Sequence, residues 1–171
     1  TLESYSRPRA NGIIALGLRE GDRLIRVTLT DGNSQMLVAS YNGKVVRFPE
    51  DTVRPMGRTA TGVRAIKLDE DGQDRVIGMI CVEESSKESV LVISEKGFGK
   101  RTDLNDENGE PIYRITNRGG KGVKTMNLTD KTGNLIGLEA VTDEQDLMLI
   151  TKSGTAIRMA MDTIRVMGRA T

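Results

Sequence analysis

Apolar positions in this chain repeat on two length scales. Residues 7–18 (RPRANGIIALGL), 57–68 (GRTATGVRAIKL) and 117–128 (NRGGKGVKTMNL) each place a glycine sixth, an apolar residue seventh, and apolar residues tenth and twelfth. Leu16 and Leu18, Ile66 and Leu68, and Met126 and Leu128 therefore flank Gly17, Lys67 or Asn127. That is the period-2 alternation of a half-buried strand, with the variable middle residue facing solvent. A second unit follows each copy, MLVASYNGKVVR at 36–47, VLVISEKGFGKR at 90–101 and LMLITKSGTAIR at 147–158, with glycine eighth and arginine twelfth. Between the two lies a third echo, DRLIRV from Asp22, DRVIGM from Asp74 and GNLIGL from Gly133. No stretch sustains an apolar stripe at i, i+3, i+4 and i+7, so little or no α-helix is expected.

Within the second unit, two β-rich segments flank Asn42-Gly43, a dipeptide suited to the positive φ of a tight hairpin turn, and Lys96-Gly97 and Ser153-Gly154 hold the same place. Each repeat then predicts about four short strands, the content of one propeller blade. Blades are expected at roughly 5–56, 57–115 and 116–168. Self-similarity at this spacing marks a propeller or solenoid, in which each unit buries its apolar face against its neighbours. VRPMGRTAT at 53–61 returns as IRVMGRAT at 164–171, which would start a further repeat. Three blades do not close a ring, so the sequence reads as an excised part of a larger domain.

Composition narrows the function classes. With 37% apolar and 29% charged residues the chain matches a globular domain, and no apolar run approaches the roughly 18 residues of a membrane-spanning helix. There is no basic, apolar leader either, so a cytoplasmic location is the default and no membrane partner is expected. Cys81 is the single cysteine; its GMICV setting suggests a buried strand position rather than a disulfide. Histidine is absent, which removes the commonest general base and any Cys/His metal site. No GxxxxGK[ST] phosphate loop occurs.

Charge is unevenly distributed beneath a net value of +1. Residues 54–68 carry Arg54, Arg58, Arg64 and Lys67 without an acid, and 111–129 carry Arg114, Arg118, Lys121 and Lys124 without one. Acids gather elsewhere, at Asp69, Glu70, Asp71 and Asp74, at Asp103, Asp106, Glu107 and Glu110, and at Glu139, Asp143, Glu144 and Asp146. Equivalent positions line up in a repeat fold, so the basic segments should stack into one positive band, a footprint for a polyanion. In Arg118-Gly119-Gly120-Lys121-Gly122 the backbone N–H groups could approach a phosphate closely; the plainer reading is a blade-to-blade connection that needs positive φ. Five aromatic residues, Tyr5, Tyr41, Phe48, Phe98 and Tyr113, are too few for a single-strand stacking platform, which favours duplex backbone as the target.

The segments YSRPRANGIIAL (5–16), NGKVVRF (42–48), VRPMGRTATGVRAIKL (53–68), GFGKRT (97–102) and VMGRAT (166–171) resemble the C-terminal domain of bacterial DNA gyrase A, or of its topoisomerase IV paralogue. The resemblance implies a six-bladed β-pinwheel with strands exchanged between blades, wrapping duplex DNA on its basic rim, of which this chain would hold about three. It also implies a non-catalytic domain, with the DNA-cleaving tyrosine, ATP and Mg in other parts of the parent, so that Tyr5, Tyr41 and Tyr113 are not nucleophiles and no cofactor belongs here. The partners implied are double-stranded DNA, the rest of gyrase A and, through it, gyrase B, at the bacterial nucleoid. The family's first-blade box, Gln-Arg-Arg-Gly-Gly-(Lys or Arg)-Gly, has no complete copy; NRGGKG at 117–122 resembles its later part. The match in 53–68 favours gyrase over topoisomerase IV. The candidate DNA-binding residues are Arg7, Arg9, Lys44, Arg47, Arg58, Arg64, Lys100, Arg101, Arg118, Gly119, Gly120, Lys121, Lys124, Arg158 and Arg169. A rival reading is a protein-binding scaffold, in which these cations would instead neutralise the acidic loops.

Overall fold

A computed structural model describes residues 2–83 and 86–171. Its strands are β1 (Gln35–Ser40), β2 (Lys44–Pro49), β3 (Val76–Val82), β4 (Ser89–Ser94), β5 (Gly99–Asp103), β6 (Val123–Lys124), β7 (Leu135–Val141), β8 (Asp146–Ile150) and β9 (Ala156–Ala160). The described residues contain short 3-10 turns and no α-helix, as the strand periodicity predicts. Among the described residues no helix is long and apolar enough to cross a membrane.

The arginine-ended units form the hairpins β1–β2, β4–β5 and β8–β9. Gly43, Gly97 and Gly154 sit at φ of 77°, 78° and 85° in their turns, the left-handed region that the dipeptide pattern anticipates. An isolated hairpin is marginal in water, and two of the three gain a further strand from the following repeat. β3 pairs antiparallel with β1, with Leu37 opposite Ile80 and a register shift between Ala39 and Ser40. β7 pairs with β4 in the same way, with Leu91 opposite Glu139 and a shift between Ile93 and Ser94. Sheets therefore cut across sequence repeats, because the donated strand belongs to the repeat after the one that owns the hairpin. The described sheets hold four, three and two strands, in the orders β3-β1-β2-β6, β5-β4-β7 and β8-β9. The expected four strands are reached only in the first.

The main core lies between the first two sheets, where Leu37, Ala39, Val45, Ile80 and Val82 meet Val90, Val92, Leu135 and Leu138. Gly78 permits that stacking, since a Cβ there would lie 3.3 Å from that of Leu138. Ile66 closes the outer face of the first sheet over Val38, Val46 and Phe48, while Leu91, Val141 and Met161 fill the space on the far side of the second. The alternation in the twelve-residue units is kept, with Lys67 and Asn127 exposed between Ile66 and Leu68 and between Met126 and Leu128. In the first copy Leu18 is left exposed. Cys81 lies in β3, half-buried, with its thiol 3.4 Å from the Met36 sulfur, and burial raises its pKa.

Candidate nucleic-acid interface

The basic twelve-residue units stack edge to edge, joined by one backbone bond that recurs in register. Gly17 N–H donates to the Ala60 carbonyl (3.0 Å), Lys67 N–H to Gly120 (2.8 Å) and Asn127 N–H to Thr171 (3.2 Å). An arginine reinforces each joint from the second position of the later unit. Arg58 Nη1 donates to the Ile14 carbonyl at 2.8 Å, Arg118 Nη1 reaches the Arg64 carbonyl at 3.5 Å, and Arg169 Nη1 donates to the Lys124 carbonyl. Arg118 Nε adds a bond to the Thr52 carbonyl at 3.2 Å. Ile14, Arg64 and Lys124 all occupy the eighth position of their units, so one rule places all three staples.

This stacking brings the cations of successive units together. Arg118 lies on the backbone of Arg64, Arg169 lies on that of Lys124, and Arg64, Lys121 and Lys124 are exposed beside them. Arg58, Arg64, Arg118, Lys121, Lys124 and Arg169 form no ion pair among the described residues. Arg7 and Arg9 are exposed ahead of the first joint. A position outside the candidate set repeats as well. Arg54, Arg114 and Arg165 each stand three residues before a unit, all exposed; repeat register is the signal that finds them.

Several candidates have another role. Arg47, Lys100 and Arg101 are only 2%, 3% and 5% exposed, too deep to meet a phosphate. Arg47 Nε donates to Gln35 Oε1 at 2.7 Å and its Nη1 to the Leu104 carbonyl at 3.3 Å, while the Arg47 carbonyl accepts Thr116 N–H. Arg101 repeats the arrangement one hairpin later: its Nε donates to the Ile164 carbonyl (3.0 Å), its Nη1 to Asp143 (2.6 Å), and its carbonyl accepts Met167 N–H. The twelfth-position arginine thus clips the chain of a later repeat into the sheet. Arg158 has the same sequence position but is exposed and paired with Asp146. Lys100 Nζ donates to the Gly168 and Arg169 carbonyls; desolvation first, and the neighbouring Arg169 charge second, lower its pKa to about 8.

The glycines also serve the joint. Gly119 N–H is already bonded to the Ala65 carbonyl at 2.6 Å, and the Gly120 carbonyl accepts Lys67 N–H. Gly122 sits at φ 73°, where a Cβ would lie 2.6 Å from the Val45 carbonyl oxygen. Of the two readings of these glycines, the close backbone crossing over β2 matches the plainer one, a blade-to-blade connection that needs positive φ.

One acid meets a rim unit, where Lys67 lies 3.8 Å from Glu70, and others are engaged elsewhere. Lys44, half-buried, pairs with Asp69, and Asp69 and Asp71 also accept from the Asn42 amide. The Lys44 ammonium lowers the Asp69 pKa, and the Asn42 hydrogen bond lowers that of Asp71. Asp74 accepts Asn42 N–H and Asp69 N–H, while Asp106 caps its own turn at Asn108 and Glu110. Of the tyrosines, Tyr113 is fully buried against Thr125, Tyr41 donates to Glu95 under the Arg75 guanidinium, and Tyr5 donates to the Ala15 carbonyl. No group of His, Cys, Asp and Glu side chains that could hold a metal ion occurs among the described residues.

Strand-exchanged hairpins stacked through cation-bearing turns define a propeller-like repeat domain with one basic edge. The chain belongs to the DNA gyrase C-terminal domain, β-propeller family, whose sequence model matches residues 1–31, 35–83, 88–142 and 145–171. It is 45% identical over 169 residues to the A subunit of DNA gyrase from Staphylococcus aureus strains MRSA252 and NCTC 8325, covering 99% of this chain and 18% of theirs. Among solved structures, the C-terminal domain of a DNA topoisomerase IV superposes with a TM-score of 0.88 at 23% identity, over 99% of this chain and 50% of that one. A DNA gyrase A C-terminal domain does so with 0.79 at 23% identity, over 94% and 52%.

Proposed function

We propose that this domain binds duplex DNA without sequence preference and bends it along the stacked rim turns, as the non-catalytic C-terminal part of gyrase A. The observation that carries the reading is the line of rim cations, from Arg58 through Arg64, Arg118, Lys121 and Lys124 to Arg169, that no carboxylate neutralises among the described residues. Like charges held side by side are tolerated on the folded surface and become favourable when a polyanion covers them. The scaffold alternative needs those cations to pair with the acidic loops; of the rim-unit cations only Lys67 does so among the described residues, with Glu70, while other acids are engaged by Arg26, Lys44, Arg101, Arg158 and backbone N–H groups.

With Arg47, Lys100 and Arg101 withdrawn into the interior, roughly two exposed cations per rim turn remain, or about 6 phosphate contacts, for a slope of log K against log salt near −5. Bending 20–30 bp by 40–90° costs on the order of 1–6 kcal/mol, which contacts distributed along a continuous edge can offset. In the parent, the wrapped duplex would be presented for strand passage in ATP-dependent negative supercoiling. Cleavage and ATP hydrolysis would belong to the remainder of gyrase A and to gyrase B, in the cytoplasm at the nucleoid.

The test is a salt titration of binding to a duplex of about 40 bp, beside a variant with Arg118, Lys121 and Lys124 changed to alanine. The variant should stay folded and lose about 0.9 from the slope per contact removed, falling from near −5 to near −2.5. Equal slopes in two folded proteins would sink the proposed track.

A further inference from the structure

Three Asn-Gly dipeptides occur in the chain, Asn11-Gly12, Asn42-Gly43 and Asn108-Gly109, and their glycines hold positive φ of 79°, 77° and 83°. Each glycine donates its N–H to the carbonyl three residues earlier, Gly12 to Arg9 (2.9 Å), Gly43 to Ser40 (3.0 Å) and Gly109 to Asp106 (3.0 Å). The local turn is thus shared, while the surroundings differ. Asn42 is half-buried, with its side-chain amide held 3.2 Å from Asp69 Oδ2 and 2.7 Å from Asp71 Oδ2. Gly43 is buried, and Leu128 fills the space that a Cβ would need. Asn11 and Asn108 are exposed, their side-chain amides meet no partner among the described residues, and nothing lies within 4 Å of a Cβ built on Gly12 or Gly109. Charge separates these two. No acid occurs from Arg7 to Arg19 around Asn11, whereas Asn108 stands among Asp103, Asp106, Glu107 and Glu110. The exposure of Asn11 belongs to the rim turn itself, since Thr61 and Lys121 hold the same fifth position in units joined on both sides and are exposed as well.

We infer that Asn11 is a deamidation site, at which a neutral rim position becomes a carboxylate. The Gly12 nitrogen attacks Asn11 Cγ, the new N–C bond closes a cyclic imide, and the side-chain nitrogen leaves as ammonia with the proton that Gly12 gives up. One water then opens the ring at either carbonyl, leaving aspartate or its β-linked isomer, and nothing is oxidised or reduced. Glycine suits the step because no Cβ blocks the approach to its nitrogen. That nitrogen must shed its proton, and nearby cations favour the resulting anion while carboxylates disfavour it. Arg7 and Arg9 therefore speed the reaction at Asn11, and the acids around Asn108 slow it. At Asn42 ring closure would first have to strip the amide from Asp69 and Asp71, so the fold protects it. The product carboxylate stands in the first unit where Lys121 stands in the third, and so reverses the sign of charge on the basic edge. Its consequence, weaker DNA binding, rests on the rim serving as the DNA track.

The test holds the folded chain in warm, mildly alkaline buffer without DNA and follows the three Asn-Gly peptides by mass spectrometry after digestion, each conversion adding one dalton. Asn11 should convert first, Asn108 about fivefold more slowly, and Asn42 not measurably. In urea Asn42 should convert as well, because its protection is tertiary. Asn11→Gln, whose longer arm closes the ring poorly, should abolish the first conversion and leave the other two unchanged. An Asn11 no faster than Asn108 in the folded chain, or an Asn42 as fast as Asn11, would overturn the proposal. A bound duplex should then slow conversion at Asn11 and not at Asn108, and Asn11→Asp should cancel about one phosphate contact, about 0.9 of the salt slope. Conversion at Asn11 that a bound duplex leaves untouched would uphold the modification and count against the rim as the track, so the two failures read apart.

Discussion

The hairpin-end arginines Arg47 and Arg101 and the rim arginines Arg58, Arg118 and Arg169 all donate to backbone carbonyls of another repeat, but they do so in opposite surroundings. The first two are 2% and 5% exposed inside the sheet assembly. Among the rim three, Arg118 is exposed and Arg58 and Arg169 are half-buried, with one or two N–H groups of each stapling the joint. Burial decides what the same side chain can do. An interior arginine must have its donors satisfied within the protein, and losing it strands the acceptors it served. A surface arginine has N–H groups left over for a ligand.

The largest expected break in this comparison is Arg47→Ala. It leaves the Leu104 carbonyl and Gln35 without their charged donor in a buried site, at a cost of about 3 kcal/mol of stability by urea unfolding. A loss within experimental error would mean that the clip is dispensable. Arg101 and Arg158 then provide a matched pair at one sequence position. Arg101→Ala should cost about 2 kcal/mol, whereas Arg158→Ala, on an exposed ion pair, should cost under about 0.5 kcal/mol. If the two substitutions proved equal, burial would not be the discriminating variable.

Lys100 sharpens the same contrast through pH. Its folded pKa of about 8 lies below the ordinary 10.5, so folding disfavours the charged form and the unfolded chain binds more protons between those values. Stability should therefore rise as pH climbs through that window. Relative to Lys100→Met, the wild type should gain about 1 kcal/mol between pH 8 and 9, read from denaturant midpoints at each pH. Cys81 and Tyr113, whose folded pKa values are raised mainly by burial, push the other way at higher pH. Both are present in the two proteins, so the difference isolates Lys100. A parallel pair of curves would contradict the desolvated amine.

Periodicity makes the strands, the hairpin turns and the rim units legible, because alternation and turn chemistry are local properties. Lys67 and Asn127 facing out between Ile66 and Leu68 and between Met126 and Leu128 follow from spacing alone. The strand exchange is not local: nothing in VIGMICV states that it joins the hairpin of the preceding repeat, and only family resemblance points to it. Burial of charge is the other hidden property. The twelfth-position arginine looks identical in all three repeats, and only tertiary contact separates Arg47 and Arg101 from Arg158. Gly119 misleads for a related reason, since a glycine that could offer its N–H to a phosphate and one whose N–H is spent on Ala65 are written the same way.

Arg118 is where the two roles of arginine overlap. Its Nε bond to Thr52 and its long Nη1 contact with Arg64 lie at an exposed joint, so Arg118→Ala should cost only about 0.5–1 kcal/mol in unfolding experiments. Its effect on DNA binding should be the larger one, removing about 0.9 from the salt slope if the guanidinium also meets a phosphate. Arg118→Lys separates the contributions, since an ammonium keeps the phosphate attraction as a point charge but lacks the planar fork that reaches two carbonyls at once. The lysine variant should retain the wild-type salt slope and share the stability loss of the alanine variant. If it instead lost slope and kept stability, Arg118 would be serving DNA through its fork and the joint would be held by the Lys67–Gly120 and Gly119–Ala65 backbone bonds.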